Sequence, residues 1–279
     1  MATMDGKAIA ETLKRGETIV GRNLEGIHLQ KAYLVGAVFE RCVLTHARFD
    51  EAALDCAIFR DCKLDDASFS DASLREASFK GCSLVGANFS GTLMVEASLS
   101  QVTLRKANFR ESNLNQAFFT DAVAEVADFT ASKLRRAMLI ESSFLVCLFN
   151  DCQGEFLNAA YADFTGSDLS GSNLDRATLT GANFSLTLLA GASMRGCPMN
   201  LANFFGADLR ESRFTKSNME GCRLMAVTAE KALFNGANLS QTFLIEGDFT
   251  GARFDAAYLQ GALRDEATFE GASFQGAHE

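Results

Sequence analysis

The 279 residues include no Trp, a single Pro and only three His. No stretch of 18 apolar residues occurs, so no transmembrane helix is expected, and no basic start followed by an apolar stretch marks a signal peptide. No CxxC pair suggests zinc, and neither GxxxxGK[ST] nor GxGxxG is present to cradle a phosphate. His28, His46 and His278 lie far apart, so they assemble neither a metal cluster nor a His-based triad. Basic charge is also in deficit. With 26 Lys and Arg against 35 Asp and Glu the formal net charge is -9, which argues against direct nucleic-acid binding and against adhesion to an anionic membrane. A partner protein with a basic surface suits that charge.

What the chain has is Phe, 24 residues of it, and a repeat. Every fifth residue from Leu24 to Phe274 falls in one unbroken frame of 51 positions, of which 46 are Leu, Phe or Met. The exceptions are Ala124, Gly154, Ala159, Ala229 and Arg264, and the frame holds 20 of the 24 Phe. Two places before each centre, from Ala32 to Ala277, stands Ala, Cys, Ser, Thr, Val or Gly, with Leu157 the exception. A period of five matches neither a helix nor a straight strand. For a large and a very small residue to return inward at that interval, the chain must turn once per repeat, leaving the intervening positions in water.

The segments Ala87-Asn88-Phe89, Ala107-Asn108-Phe109, Ala162-Asp163-Phe164, Ala207-Asp208-Leu209 and Ala237-Asn238-Leu239 carry the Ala-Asp/Asn-Leu-x-x signature. On these and the frame, the chain resembles the pentapeptide-repeat family over about residues 22–278. The resemblance implies an all-β fold, a right-handed quadrilateral β-helix with four repeats per coil, here about 13 coils and roughly 60 Å at the spacing of adjacent strands. Residues 20 apart then stack. Phe49, Phe69, Phe89, Phe109, Phe129 and Phe149 form one expected column, Phe144, Phe164, Phe184 and Phe204 another, and Phe214, Phe234, Phe254 and Phe274 a third. A fourth begins Phe39, Phe59 and Phe79.

At the same offset Lys31 meets Glu51, Arg41 meets Asp61, Glu40 meets Arg60 and Asp55 meets Arg75. Seven of the eight Cys occupy the small inward position, where a thiol serves as a small hydrophobe; only Cys56 lies elsewhere. The glycines that follow many centres, as at Gly81 and Gly86, read as corner residues with positive φ.

Residues 1–21 read as a lead-in in which 4–15 form a short helix, starting near Asp5, that covers the first coil. The β-helix itself takes 22–279. A local bulge is expected at 152–161, where Gly154 and Ala159 underfill two centres and Leu157 overfills a small site, with Phe156 or Leu157 rotated to refill the void. Arg264 at a core centre suggests a distorted or open last coil, with no C-terminal helix after it. Residues 241–279 carry seven acidic and two basic residues. Glu246, Asp248, Asp255, Asp265, Glu266 and Glu270 are therefore the candidate protein contacts, and Phe269 and Phe274 the candidates for end-stacking into a homodimer.

A filled interior leaves no substrate cavity, and exposed carboxylate pairs such as Asp65-Asp66 lack the desolvation that acid–base catalysis needs. No enzyme activity and no cofactor are expected. The first functional reading is a protein-interaction scaffold. The segment GETIVGRNLEGIHLQKAYL is similar to the entry of pentapeptide proteins associated with bacterial secretion machinery. The second is a DNA mimic, since the resemblance extends to family members that bind DNA gyrase; interspersed Arg105, Lys106, Arg110, Arg135 and Arg136 interrupt a negative face. The third is a secreted effector addressed by residues 1–20. Free thiols and the missing signal peptide point to the cytoplasm, with export by another route left open.

Overall fold

The computed structural model describes residues 6–279, and the chain forms two compact units, Met1–Met138 and Leu139–Glu279. The expected helix start at Asp5 lies outside the described residues. Helix α1 (Gly6–Lys14) buries Ile9 and Leu13 on one face. Its first residue lies against the carbonyl oxygen of His28 in the opening coil. The helix therefore covers apolar surface that the first coil leaves uncovered.

The 20-residue coil is visible in the hydrogen bonds. Strands β1 (Ile19–Val20), β2 (Val38–Glu40) and β3 (Ile58–Arg60) pair in parallel, with Ile19 opposite Phe39 and Phe39 opposite Phe59. The frame thus begins one repeat before Leu24, at a β-branched residue. Strand β4 (Val123–Glu125) lies in the first unit and β5 (Ser143–Leu145) in the second. Elsewhere within each unit most repeats contribute a single parallel bridge to the residue 20 further on, such as Ser68 to Asn88 and Asn183 to Asn203. Each coil is a right-handed turn of four sides, and every side is one repeat.

Most corners are type II turns, although those after Phe39 and Phe59 lack the closing hydrogen bond. The N–H three residues after a centre donates to that centre's carbonyl, as from Ala72 to Phe69 at 3.0 Å, while the residue two after it takes a left-handed φ. Every such position from Gly21 to Gly276 is left-handed, yet 34 of them carry a side chain. Positive φ alone therefore does not account for the glycines. At Gly81, Gly86 and Gly91 a Cβ would collide with the carboxylate oxygens of Asp61, Asp66 and Asp71, one coil earlier. At these three corners glycine leaves room for a side chain that leans along the axis onto the next coil, whereas at Gly21, Gly26 and Gly36 a Cβ would meet nothing.

In the first unit Phe49, Phe69, Phe89, Phe109 and Phe129 stack at 4.8–4.9 Å between centroids and within 5° of parallel. The neighbouring column meets them edge-on, as Phe59 against Phe69 at 85°. In the second unit Phe144, Phe164, Phe184 and Phe204 form one stack, and Phe214, Phe234, Phe254 and Phe274 another. Aromatic pairs of both geometries are favourable by about 0.5–1.5 kcal/mol beyond their area.

Small inward residues also have a polar duty. The hydroxyls of Thr92 and Ser112 donate to the carbonyl of the preceding centre, three residues back, and those of Ser167 and Ser217 to a centre 23 residues back. Cys42, Cys62 and Cys82 do the second with their thiols, reaching the carbonyls of Ile19, Phe39 and Phe59. Burial pushes the Cys197 thiol up to about 12, as it does that of Cys222, which leaves both protonated and unreactive. Of the expected charge pairs, Lys31–Glu51, Glu40–Arg60 and Asp55–Arg75 form at 3.3–3.9 Å. Arg41 reaches Glu40 at 2.9 Å instead of Asp61, whose carboxylate lies over Gly81.

The bulge expected at 152–161 is absent. The ladder runs through it, with Gln153 bridged to Asn173 and Asn158 to Thr178, and the turns after Gly154 and Ala159 close normally. Leu157 points inward from its small position and occupies the space that a Gly154 Cβ would need. Leu157, with Leu174 of the next coil, thus fills what the undersized centre Gly154 leaves. Phe156 stays outside at a corner, with the Arg176 guanidinium 5.5 Å over its ring. Pro198 keeps its bridge to Asn218 and accepts from the Leu179 N–H, so the ladder loses only the donor that Pro lacks.

Leu157→Ala is expected to destabilise the second unit by about 2–5 kcal/mol, and adding Gly154→Leu should recover part of that loss, read as denaturant midpoints. A double variant no more stable than the single one would show that the two sites do not share one void. Gly81→Ala should likewise cost more in the native background than in Asp61→Ala, where only the left-handed strain of about 1–2 kcal/mol remains. Equal costs in the two backgrounds would remove the proposed contact.

Candidate protein-contact surface

Each repeat shows water the residue before its centre and the two after it, and these stack at 20-residue intervals into faces and corners. This geometry separates the six acidic candidates. Asp248 accepts from the Thr250 N–H at 3.0 Å and from its hydroxyl at 2.6 Å. Asp255 accepts from Ser273 Oγ, from Arg253 Nη2 at 2.7 Å and Nε at 3.0 Å, and from the Gln275 N–H at 3.1 Å. Both carboxylates are committed to the coil itself.

The other four are exposed, and no ion pair holds them among the described residues. Glu246 and Glu266 occupy the same corner 20 residues apart, both in left-handed conformation, with Asp265 beside Glu266. Glu270 follows Phe269 on the next side. Three carboxylates thus gather at one corner without a cation to balance them.

The last coil is undistorted. Its frame positions are Arg264, Phe269, Phe274 and Glu279. Phe269 stacks on Phe249 at 5.2 Å and Phe274 on Phe254 at 4.9 Å, both half-buried where earlier centres are fully covered. Arg264 keeps its turn, since Ala267 N–H donates to its carbonyl at 3.1 Å. Its guanidinium lies 5.9 Å over the Phe274 ring and Nη1 donates to Glu279 Oε1 at 2.9 Å. The charge of Arg264, which is half-buried, is paired with the exposed carboxylate of Glu279. The Arg264 Nε is buried without a partner.

Beside the acidic corner lies a feature that the five-residue frame does not announce. On the side whose centres are Phe204, Leu224, Leu244 and Arg264, the residues after successive centres are Phe205, Met225 and Ile245, while Phe243 is bridged to Leu263 on the same side. Phe205, Phe243 and Leu263 are 46 %, 36 % and 46 % exposed. Only four Phe lie off the core frame: Phe118, Phe156, Phe205 and Phe243. That two of them share one side was the available signal.

The description "Pentapeptide repeat region" matches residues 21–89 and 72–145, and "Pentapeptide repeats (8 copies)" matches 160–196, 202–241, 232–263 and 248–278. The chain belongs to the pentapeptide-repeat family. Residues 146–159, which include Gly154 and Leu157, fall between the matches of this pentapeptide-repeat protein to its family. Among solved structures it is similar to HetL, a pentapeptide repeat protein involved in heterocyst differentiation regulation from the cyanobacterium Nostoc sp. strain PCC 7120. The identity is 21% over 96% of both chains, with a TM-score of 0.23. QnrB1, a plasmid-mediated fluoroquinolone resistance protein, in one trypsin-treated form is 22% identical over 73% of this chain and 91% of its own, at a TM-score of 0.32. A pentapeptide repeat protein of the Arabidopsis thaliana thylakoid lumen is 27% identical over 40% of this chain and 64% of its own, at 0.19. No curated protein matches. No described helix is long and apolar enough to cross a membrane.

The hydrogen bond from Ser273, then the Arg253 guanidinium and the Gln275 N–H, hold the Asp255 carboxyl below the usual carboxylate range. A depressed folded value adds stability that is complete above the unfolded value of about 3.9 and is lost as pH falls through the folded one. Arg253→Met should raise the Asp255 value, read by carboxyl-carbon NMR titration, and leave less stability to lose on acidification below about pH 4. An unmoved titration would show that the pair contributes nothing to the carboxylate.

Proposed function

We propose that this pentapeptide-repeat protein is a non-catalytic scaffold that binds another protein through its outward faces. The reading is carried by the acidic corner of Glu246, Asp265 and Glu266, which has no internal cation among the described residues and lies next to exposed apolar side chains. The buried centres from Leu24 to Leu259 leave interior volume to side chains instead of substrate, in keeping with a surface function. A link to secretion machinery rests on the N-terminal segment alone.

Duplex mimicry draws on the net charge of -9, but the surface offers it little support. Arg195, Arg210 and Arg253 neutralise Asp175, Asp208 and Asp255 within the second unit, and the acidic corner adjoins apolar side chains where a duplex has phosphates.

The test is affinity capture from the native host with the intact chain and with the triple variant Glu246→Lys, Asp265→Lys and Glu266→Lys. All three positions are outward, so thermal unfolding should change little. A protein retained by the native chain and reduced with the variant is the expected result. Absence of any specifically retained protein would overturn the scaffold reading, and retention of nucleic-acid-binding enzymes insensitive to apolar substitutions would favour mimicry.

A further inference from the structure

We infer that the side carrying Phe205, Met225, Phe243, Ile245 and Leu263 is a groove-free docking strip for an amphipathic α-helix of a partner protein, with Lys or Arg at the end that lies over Glu246 and Glu266. This rests on the scaffold reading and gives its surface and partner chemistry.

The strip follows from the coil. A centre points inward, so the residues before and after it point outward together, as the two-residue period of a strand requires. Phe243 and Ile245 therefore stand side by side in one coil. The parallel ladder stacks Leu263 on Phe243, and the bonds from Gly206 N–H to Met225 O (3.0 Å) and from Ala226 N–H to Ile245 O (2.9 Å) stack Phe205, Met225 and Ile245. From the coil of Phe205 to that of Leu263 there are three steps of about 4.8 Å, or roughly 14 Å. An α-helix rises about 5.4 Å per turn. Helical side chains at i, i+3 or i+4, and i+7 thus meet successive coils nearly in step when the helix lies along the axis.

The pattern is local. The corresponding positions in the first unit read Val43, Lys63, Ser83 and Thr103 before the centres and Thr45, Asp65, Val85 and Arg105 after them, with no apolar run. Folding requires no large apolar residue at these outward positions, since the ladder and the inward columns are complete without one.

Charge selects the occupant. The strip ends in three carboxylates without a described ion pair, Glu246, Asp265 and Glu266, so the matching end of the helix carries cations. Arg223, exposed beside Met225, meets a polar or acidic residue part-way along it. A second copy of this chain is a poorer occupant, because each copy brings a net charge of -9.

The probe is a fluorescently labelled peptide of about four helical turns with Leu at i, i+3, i+7 and i+10 and Lys beyond one end, titrated against the intact chain. A control peptide carries Glu in place of Lys. The Lys peptide should bind, weaken as salt rises, and lose about tenfold or more in affinity with Ile245→Glu; with Glu246→Lys and Glu266→Lys together the loss should be several-fold. The Glu peptide should bind several-fold more weakly than the Lys peptide, and the Glu246→Lys, Glu266→Lys variant should prefer the Glu peptide. Equal binding of the two peptides, or affinities that both variants leave unchanged, would overturn the inference. So would self-association of the intact chain in sedimentation that Ile245→Glu abolishes, because the occupant would then be a second copy. Host capture of a protein that Ile245→Glu leaves unaffected would refute this strip while leaving the scaffold reading intact, whereas no captured protein would remove that reading itself.

Discussion

The backbone ladder that sets each residue against the one 20 further on is the constraint from which the rest of the structure follows. It aligns centres with centres and corners with corners, so an inward ring lies on another ring and a corner side chain lies over the next corner. Stacking of Phe49 through Phe129 at 4.8–4.9 Å is strand spacing expressed in side chains. Some glycines obey the same rule: Asp61 leans over Gly81.

Inward positions are legible in sequence because the ladder imposes the same demand in every repeat. The Phe columns and the small buried partners could be read from spacing, as could three of the four charge pairs. The exceptions are harder to read where two deviations act together. Gly154 and Leu157 look like two defects in a linear reading, yet they are complementary in space. Arg264 looks incompatible with a core until its guanidinium is seen paired with Glu279 and lying over the Phe274 ring.

Outward positions are a different problem. Nothing in the ladder specifies them, so their spacing carries no information about their use. Acidic content alone put Asp248 and Asp255 with Glu246 and Glu266, but two of those carboxylates hold their own coil together and two face water. The apolar side containing Phe205 and Phe243 emerges only when residues are sorted by both the five-residue step and the four-sided coil.

The five-residue step and the four-sided coil also have an evolutionary consequence. Gain or loss of one repeat keeps every large residue inward, and so preserves the core, but it carries all later outward residues around to the adjacent side. Change by four repeats restores them to the side they left. A lineage of such chains can therefore shuffle its recognition surface without redesigning its interior, and the lengths that conserve a binding face are quantised in whole coils.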